Sequence, residues 1–163
     1  MKKSTNYITT AAIIGALYAA LTIILAPISY GQIQVRVAEA LTVLPWFYPQ
    51  AIPGLFIGCM VANIFGGNGP IDIFGGSLIT LLAALCTYWL RRFNKPWLAP
   101  LPPVVFNALG VSLYLSYLIH VPYWITVVYI AAGQIAACYV LGLVLLYTLV
   151  NRLKICNTVF RGQ

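Results

Sequence analysis

The sequence predicts an all-α integral membrane bundle of six transmembrane helices, with the N-terminus and the C-terminus in the cytoplasm. The first observation behind this fold class is composition: 62% of the 163 residues are hydrophobic and 7% are charged, whereas a soluble domain carries about 25% charged residues. The second observation is that the apolar runs are long and continuous, as in residues 8–25 and 123–150. Backbone polar groups in hydrocarbon need internal partners, which leaves helices or a closed barrel. Barrel strands would alternate apolar and polar residues, so helices are predicted.

Six apolar segments can be read in chain order. The second and third are short and are hinged at Pro49 and Pro53, and Pro100, Pro102 and Pro103 open the fifth. At about 20 residues per span, they leave no room for a soluble domain, so residues 1–163 are predicted to form a single transmembrane domain. The predicted spans cover residues 7–26, 37–48, 50–65, 71–90, 103–119 and 123–150, each bound being approximate.

Basic residues set the predicted orientation. Eight of the nine Lys and Arg residues fall in three clusters, and cytoplasmic loops of membrane proteins carry an excess of such residues. These clusters precede span one, follow span four and follow span six. They lie on one side of the membrane only if the number of spans between them is even, which six spans satisfy and five would not. Lys2 and Lys3 before an apolar run also resemble a signal peptide, but the run is long and further spans follow, so an uncleaved helix is predicted. The clusters are Lys2 and Lys3; Arg91, Arg92 and Lys95; and Arg152, Lys154 and Arg161.

The remaining polar residues gather toward the other side. Glu39 and Asp72 fall at the outer ends of spans two and four, and Gln134 lies about 12 residues into span six. Polar and ionisable residues inside a membrane are costly and usually face an interior cavity. Together with Asn63, these residues predict one polar pocket that opens to the outside.

Structural explanations compete with this pocket at several positions. Arg36 and Glu39 are three residues apart and could form an ion pair along one helix. Asp72 follows a Gly-Pro turn and could cap span four. Asn107 could pack between helices, and Tyr30 and Trp46 could belong to an interfacial aromatic belt.

The sequence offers no catalytic machinery. It contains one histidine, no Ser-His-Asp set, no cysteine spacing typical of a metal site and no Walker A motif. We therefore predict that the protein is not an enzyme and has no cofactor or metal.

The net charge of +7 is explained by topology, so no nucleic-acid partner is predicted, and the lipid bilayer is the expected surrounding. Any uphill transport would need energy from another subunit.

Small residues recur every four positions in span one, in two adjacent ladders. Small residues at this spacing let another helix approach the backbone closely. Each ladder is explained either by packing within the bundle or by docking of a partner subunit. The ladders are Ala11, Gly15 and Ala19, and Ala12, Ala16 and Ala20.

Three stretches resemble the QueT transporters, and the likeness runs from about residue 12 to residue 146. The longest, residues 25–46, reads LAPISYGQIQVRVAEALTVLPW. The others are residues 51–59, AIPGLFIGC, and residues 98–104, LAPLPPV. The motifs are long and specific, and the resemblance implies the substrate-binding S component of an energy-coupling factor transporter.

This resemblance implies a six-helix bundle that captures a 7-deazaguanine precursor of queuosine outside the cell. It implies two kinds of partner subunit, a transmembrane coupling subunit and two cytoplasmic ATPases. The ladder of Ala12, Ala16 and Ala20 corresponds to the docking surface of such S components. An S component for another vitamin-like solute and a non-transporting membrane scaffold remain as alternatives.

A 7-deazaguanine presents an N1–H and a 2-amino group side by side, and this pair suits a carboxylate. Its carbonyl suits an amide or Arg donor, and its flat face suits an aromatic ring. Glu39 is the carboxylate expected to bind the base, and Asp72 is the second candidate. An aminomethyl group on the base would be a cation and would bind whichever of the two acids is left. Tyr30 or Trp46 is the expected stacking ring. The expected donors are Arg36, Asn63, Asn107 and Gln134.

Overall fold

The computed structural model describes residues 2–30, 34–67 and 69–153, and these residues form helices joined by turns and short loops, with no β-strand among them. Lys154 and Arg161 of the third basic cluster lie outside the described residues. A one-turn helix, Ala26–Ser29, follows the first long helix, and Val37–Trp46 is a 3-10 helix. The other helices are α1 Lys2–Ile24, α2 Ala51–Gly66, α3 Asp72–Phe93, α4 Pro96–Leu118 and α5 Tyr123–Asn151.

All six predicted apolar segments are helical. Four of them, those in α1, α3, α4 and α5, are long and apolar enough to cross a membrane. The ten residues of the 3-10 helix Val37–Trp46 reach roughly 20 Å at about 2 Å per residue. The 16 residues of α2 reach roughly 24 Å at 1.5 Å per residue, less than the roughly 30 Å of a hydrocarbon core.

The described side chains are distributed as a membrane protein requires. Large apolar side chains cover the outside, with Leu113 and Trp124 each 71% exposed. The chain's two acidic residues, by contrast, are buried. In water this arrangement would leave much apolar surface exposed, whereas in lipid it is the stable one.

The first helix packs most extensively against α2, and the contact is made by backbone where glycines of the two helices meet. A Cβ atom at Gly58 would lie 2.5 Å from the carbonyl oxygen of Gly15, and one at Gly54 would lie 2.5 Å from that of Ala11. Glycine is therefore needed where the two helices cross, since a side chain would separate the backbones.

The two small-residue ladders of α1 have different environments. Gly15 and Ala19 are buried and Ala11 is half-buried, and Ala11 and Gly15 lie against α2. The ladder of Ala12, Ala16 and Ala20 is exposed along its whole length. Internal packing thus accounts for the first ladder and leaves the second on the surface.

Replacing Gly58 with alanine should destabilise the bundle, because the added methyl group meets the backbone of Gly15 and the helices must separate. We expect a loss of about 1–3 kcal/mol, measured as a lower thermal unfolding midpoint in detergent. Gly75→Ala is the matched control, since its Cβ would lie 3.8 Å from the nearest atoms, an ordinary contact. Equal effects of the two substitutions would contradict this account of the crossing.

Candidate ligand-binding site

A buried polar cluster occupies the interior of the bundle. Glu39 is 1% exposed, Asp72 is fully buried and Arg36 is 4% exposed. Buried charges are stable only when they are paired and hydrogen-bonded, so the partners of these three groups define the site.

Asp72 is the centre of one half of the cluster. Its Oδ2 lies 3.8 Å from a terminal guanidinium nitrogen of Arg36, and its Oδ1 accepts a hydrogen bond of 2.5 Å from the hydroxyl of Tyr114. The side-chain amide of Asn63 donates to the backbone carbonyl of Asp72 at 2.9 Å. Four elements meet here: the segment before Val37, α2, α3 and α4.

These contacts decide two of the structural alternatives. Arg36 pairs with Asp72 across the bundle, whereas Glu39 accepts from Tyr18, so the ion pair along one helix is not the arrangement observed. The N–H of Asp72 donates to the carbonyl of Gly69, and Pro70 and Ile71, just before the range given for α3, already have helical backbone, so Asp72 is not the helix cap.

Tyr30 lies beside Arg36. The guanidinium carbon lies 5.6 Å from the centroid of the Tyr30 ring, and the Tyr30 hydroxyl donates to the carbonyl of Ala62 at 2.5 Å. The ring also packs on Gly66, where a Cβ would come within 2.5 Å of a ring carbon. An aromatic face is thereby fixed at the edge of the charged pair.

Glu39 is the centre of the other half. Its Oε1 accepts a hydrogen bond of 2.5 Å from the hydroxyl of Tyr18, which is fully buried on α1. Its backbone carbonyl accepts from Thr42 at 2.5 Å and from the thiol of Cys138 at 3.6 Å. The same thiol lies 3.3 Å from the side-chain oxygen of Gln134, which brings that residue into the cluster.

Cys59 lies next to the Asp72 half, on α2. Its sulfur accepts from the amide of Asn63 at 3.6 Å and from the hydroxyl of Thr80 at 3.4 Å. The Cys59 side chain is fully buried. The thiol therefore acts as a polar lining between α2 and α3.

Three of the helices long enough to span a membrane contain a π-helical segment, and two of these segments start at a predicted site residue. The segments are Asp72–Gly76 in α3, Asn107–Val111 in α4 and Ile135–Gly142 in α5, the last directly after Gln134. Such segments are rare and occur frequently at functional sites, because they re-aim side chains from an otherwise regular helix.

Gly76 leaves room for the cluster within the first of these segments. A Cβ there would lie 2.8 Å from the amide nitrogen of Asn63 and 3.1 Å from both Asp72 Oδ1 and the Tyr114 hydroxyl. The space beside the Asp72–Tyr114 hydrogen bond thus exists because residue 76 has no side chain.

Several buried polar atoms have no hydrogen-bond partner among the described residues. They include two acceptors, Oε2 of Glu39 and Oδ1 of Asn63, and the donor Nδ2 of Asn107. An unpaired buried polar atom costs about 1–3 kcal/mol. A polar ligand with both donors and acceptors is the kind of molecule that such a set would bind.

The structure brings most of the predicted site residues together. Arg36, Asp72, Asn63 and Tyr30 share direct contacts, and Gln134 joins the backbone carbonyl of Glu39 through Cys138. Asn107 is buried as well. Trp46 instead packs in an apolar cluster with Val43, Phe47, Ala99 and Leu146, so Tyr30 is the better-placed aromatic residue.

Sequence reasoning missed two residues of the cluster, Tyr18 and Tyr114, which hydrogen-bond the two carboxylates. A phenol in the middle of an apolar helix needs a hydrogen-bond partner, and this signal was available at Tyr18.

An apolar exterior around a buried cluster of charges and amides defines a multi-pass membrane protein with an internal polar site. The sequence profile described as QueT transporter matches residues 8–151, so the chain belongs to the QueT transporter family and is a transport protein. The resemblance drawn from the motifs is thereby confirmed.

One curated relative is the queuosine precursor transporter QueT of Lactococcus lactis subsp. cremoris (strain MG1363). It is 32% identical over 154 residues, which cover 86% of this chain and 90% of the relative. No solved structure matches the chain.

Proposed function

We propose that this chain is the substrate-capture S component of an energy-coupling factor transporter and that it binds a 7-deazaguanine precursor of queuosine. The observation that carries the proposal is the buried cluster around Glu39 and Asp72, whose unpaired donors and acceptors suit a planar polar base. Membership of the QueT transporter family supports transport of such a solute, as does the function of the Lactococcus relative, a queuosine precursor transporter.

Each part of the base has a matching group in the cluster. The N1–H and the 2-amino group donate to Glu39, whose Oε2 has no partner among the described residues. The carbonyl accepts from Asn107, whose amide nitrogen is likewise unpaired in the described part of the chain. The flat face stacks on Tyr30, which already lies against Arg36.

The charge balance of the cluster favours a cationic form of the base. Two carboxylates, Glu39 and Asp72, share the interior with one guanidinium, that of Arg36, which pairs with Asp72. When all three are ionised, the cluster carries one excess negative charge in a medium where charge interactions are strong. An aminomethyl group on the 7-deazaguanine supplies the compensating positive charge, whereas a nitrile does not.

Substituting Glu39 with glutamine should weaken binding of aminomethyl-7-deazaguanine by roughly 10- to 100-fold, the value of a hydrogen bond to a charged group. The substitution keeps the size of the side chain and an acceptor for Tyr18. Affinity is measured by calorimetry on purified protein, with the nitrile analogue as the matched ligand. We expect wild-type protein to prefer the amine and the variant to lose much of that preference; unchanged affinity for both bases would remove Glu39 from the ligand set.

The second part of the proposal concerns the partner. The chain has no nucleotide-binding motif, so uptake against a gradient depends on a coupling subunit and its two ATPases. Ala12 and Ala16 of the exposed ladder line an apolar groove of about 460 Å³ between α1 and α2. Apart from Tyr7, its walls are small or aliphatic, including Gly54 and Ile57, which suits a helix of the coupling subunit.

Replacing Ala16 with tryptophan should abolish uptake and leave ligand binding intact, because the indole fills the groove without reaching the polar cluster. Uptake of labelled base is measured in cells, and binding is measured on purified protein. Leu82→Trp is the control, since Leu82 is an exposed residue halfway along α3, away from the groove. Equal loss of binding and uptake in Ala16→Trp would show that the ladder contributes to internal packing.

The third part is topology. We propose six spans with both termini in the cytoplasm, in which the 3-10 helix Val37–Trp46 and α2 cross as a pair of short helices. The basic cluster of Arg91, Arg92 and Lys95 follows α3, and the turn at His120 lies at the other end of α4. The proposal thus assigns these two ends of α4 to opposite sides of the membrane.

Cysteine labelling tests this topology, because His120 and Lys95 are both exposed. His120→Cys should react with a membrane-impermeant maleimide in intact cells, whereas Lys95→Cys should react only after the cells are permeabilised. Both variants carry Cys156→Ser to reduce background, and the Cys156→Ser protein alone is the control. Labelling of both positions from the same side would overturn the six-span arrangement.

A further inference from the structure

Two features of α1 lie on opposite faces of the same helix. Ala16 and Ala20 are exposed, and Tyr18, which stands between them, is fully buried. At 3.6 residues per turn, a step of two residues turns the side chain by about 200°. The helix that presents the exposed ladder therefore also sends Tyr18 into the bundle.

Tyr18 reaches across the bundle to the polar cluster. Its hydroxyl donates to Oε1 of Glu39 at 2.5 Å, a contact between residues 21 positions apart in the chain. The side-chain hydrogen bonds of Thr9 and Thr22 instead remain within α1. Tyr18 thus ties the position of α1 directly to the carboxylate of Glu39.

The contact of α1 with α2 combines backbone and apolar side chains. Gly15 meets Gly58 by backbone. The side chain of Tyr18 lies in an apolar core cluster that includes Leu55 of α2. Apolar packing is not directional, whereas a hydrogen bond is. The Tyr18–Glu39 hydrogen bond is well placed to select one position of the helix.

The other oxygen of Glu39 links this hydrogen bond to occupancy of the site. Oε2 is buried and has no partner in the described ranges. A ligand that donates to Oε2 favours the ionised carboxylate, and an ionised carboxylate accepts a stronger hydrogen bond from a phenol than a protonated one does. Binding at Oε2 would therefore strengthen the contact of Oε1 with Tyr18.

We propose that Tyr18 is a positioning residue that couples occupancy of the Glu39 site to the position of α1 and hence to its exposed alanine ladder. The inference rests on the proposed function for the identity of the ligand. Coupling between two sites is reciprocal, so a partner that holds α1 in this position also raises affinity at Glu39.

Hydrogen–deuterium exchange on the purified full chain tests the proposal without any partner subunit. Aminomethyl-7-deazaguanine at saturation should slow exchange of the α1 amides by roughly fivefold or more, the lower end of typical coupling. In Tyr18→Phe the protection of α1 should disappear, while the segment that contains Glu39 stays protected. Tyr123→Phe is the matched control: it loses a phenol hydrogen bond outside the cluster, to the carbonyl of Leu109 at 3.2 Å, and should keep the α1 response.

The outcomes separate this inference from the proposed function. Protection of α1 that persists in Tyr18→Phe, with the ligand bound, overturns the coupling and leaves the proposed function standing. Absence of ligand-dependent protection anywhere in the wild-type protein overturns both.

If Tyr18→Phe does not fold, a double variant with Glu39→Gln removes the hydroxyl and the charge together. It is compared with wild-type protein at ligand concentrations that protect the segment containing Asp72. Loss of the α1 response supports the coupling, and a response of wild-type size overturns it.

Discussion

The burial of two carboxylates and one guanidinium inside an apolar bundle is the constraint on which the rest of this structure depends. Charged groups at this depth are costly unless each finds partners. Arg36 and Asp72 satisfy part of this requirement for each other, and Tyr114 and Tyr18 supply hydroxyl donors to the two acids. The helices are arranged so that side chains from α1 and α4 reach the two carboxylates.

Local irregularities of the helices follow from the same requirement. The π-helical segments begin at Asp72, at Asn107 and directly after Gln134, where a regular helix would aim the side chain differently. Gly76 leaves space beside Asp72 that any side chain would fill. The polar cluster and the distortions of the helices around it are therefore one feature of the molecule.

The first helix combines three roles that use different faces. Gly15 gives close backbone contact with α2, Tyr18 points to Glu39, and Ala12, Ala16 and Ala20 lie on the outside. A single rigid helix in contact with both the polar site and the exterior offers a short physical route between a captured solute and a partner subunit. This division of faces gives the proposed capture component a means of reporting that it is loaded.

The sequence by itself determined the membrane environment, the all-helical class and the positions of the six apolar helices, because composition and long apolar runs fix these locally. Three motifs indicated the family. The sequence also proposed Glu39, Asp72, Arg36 and Asn63 as site residues, since polar residues are conspicuous in apolar segments. Only the tertiary structure decided the pairing: Arg36 with Asp72 rather than with Glu39, Tyr18 with Glu39, and Trp46 in an apolar core. Those contacts join residues far apart in the chain, and their partners depend on how helices cross, which no local pattern records.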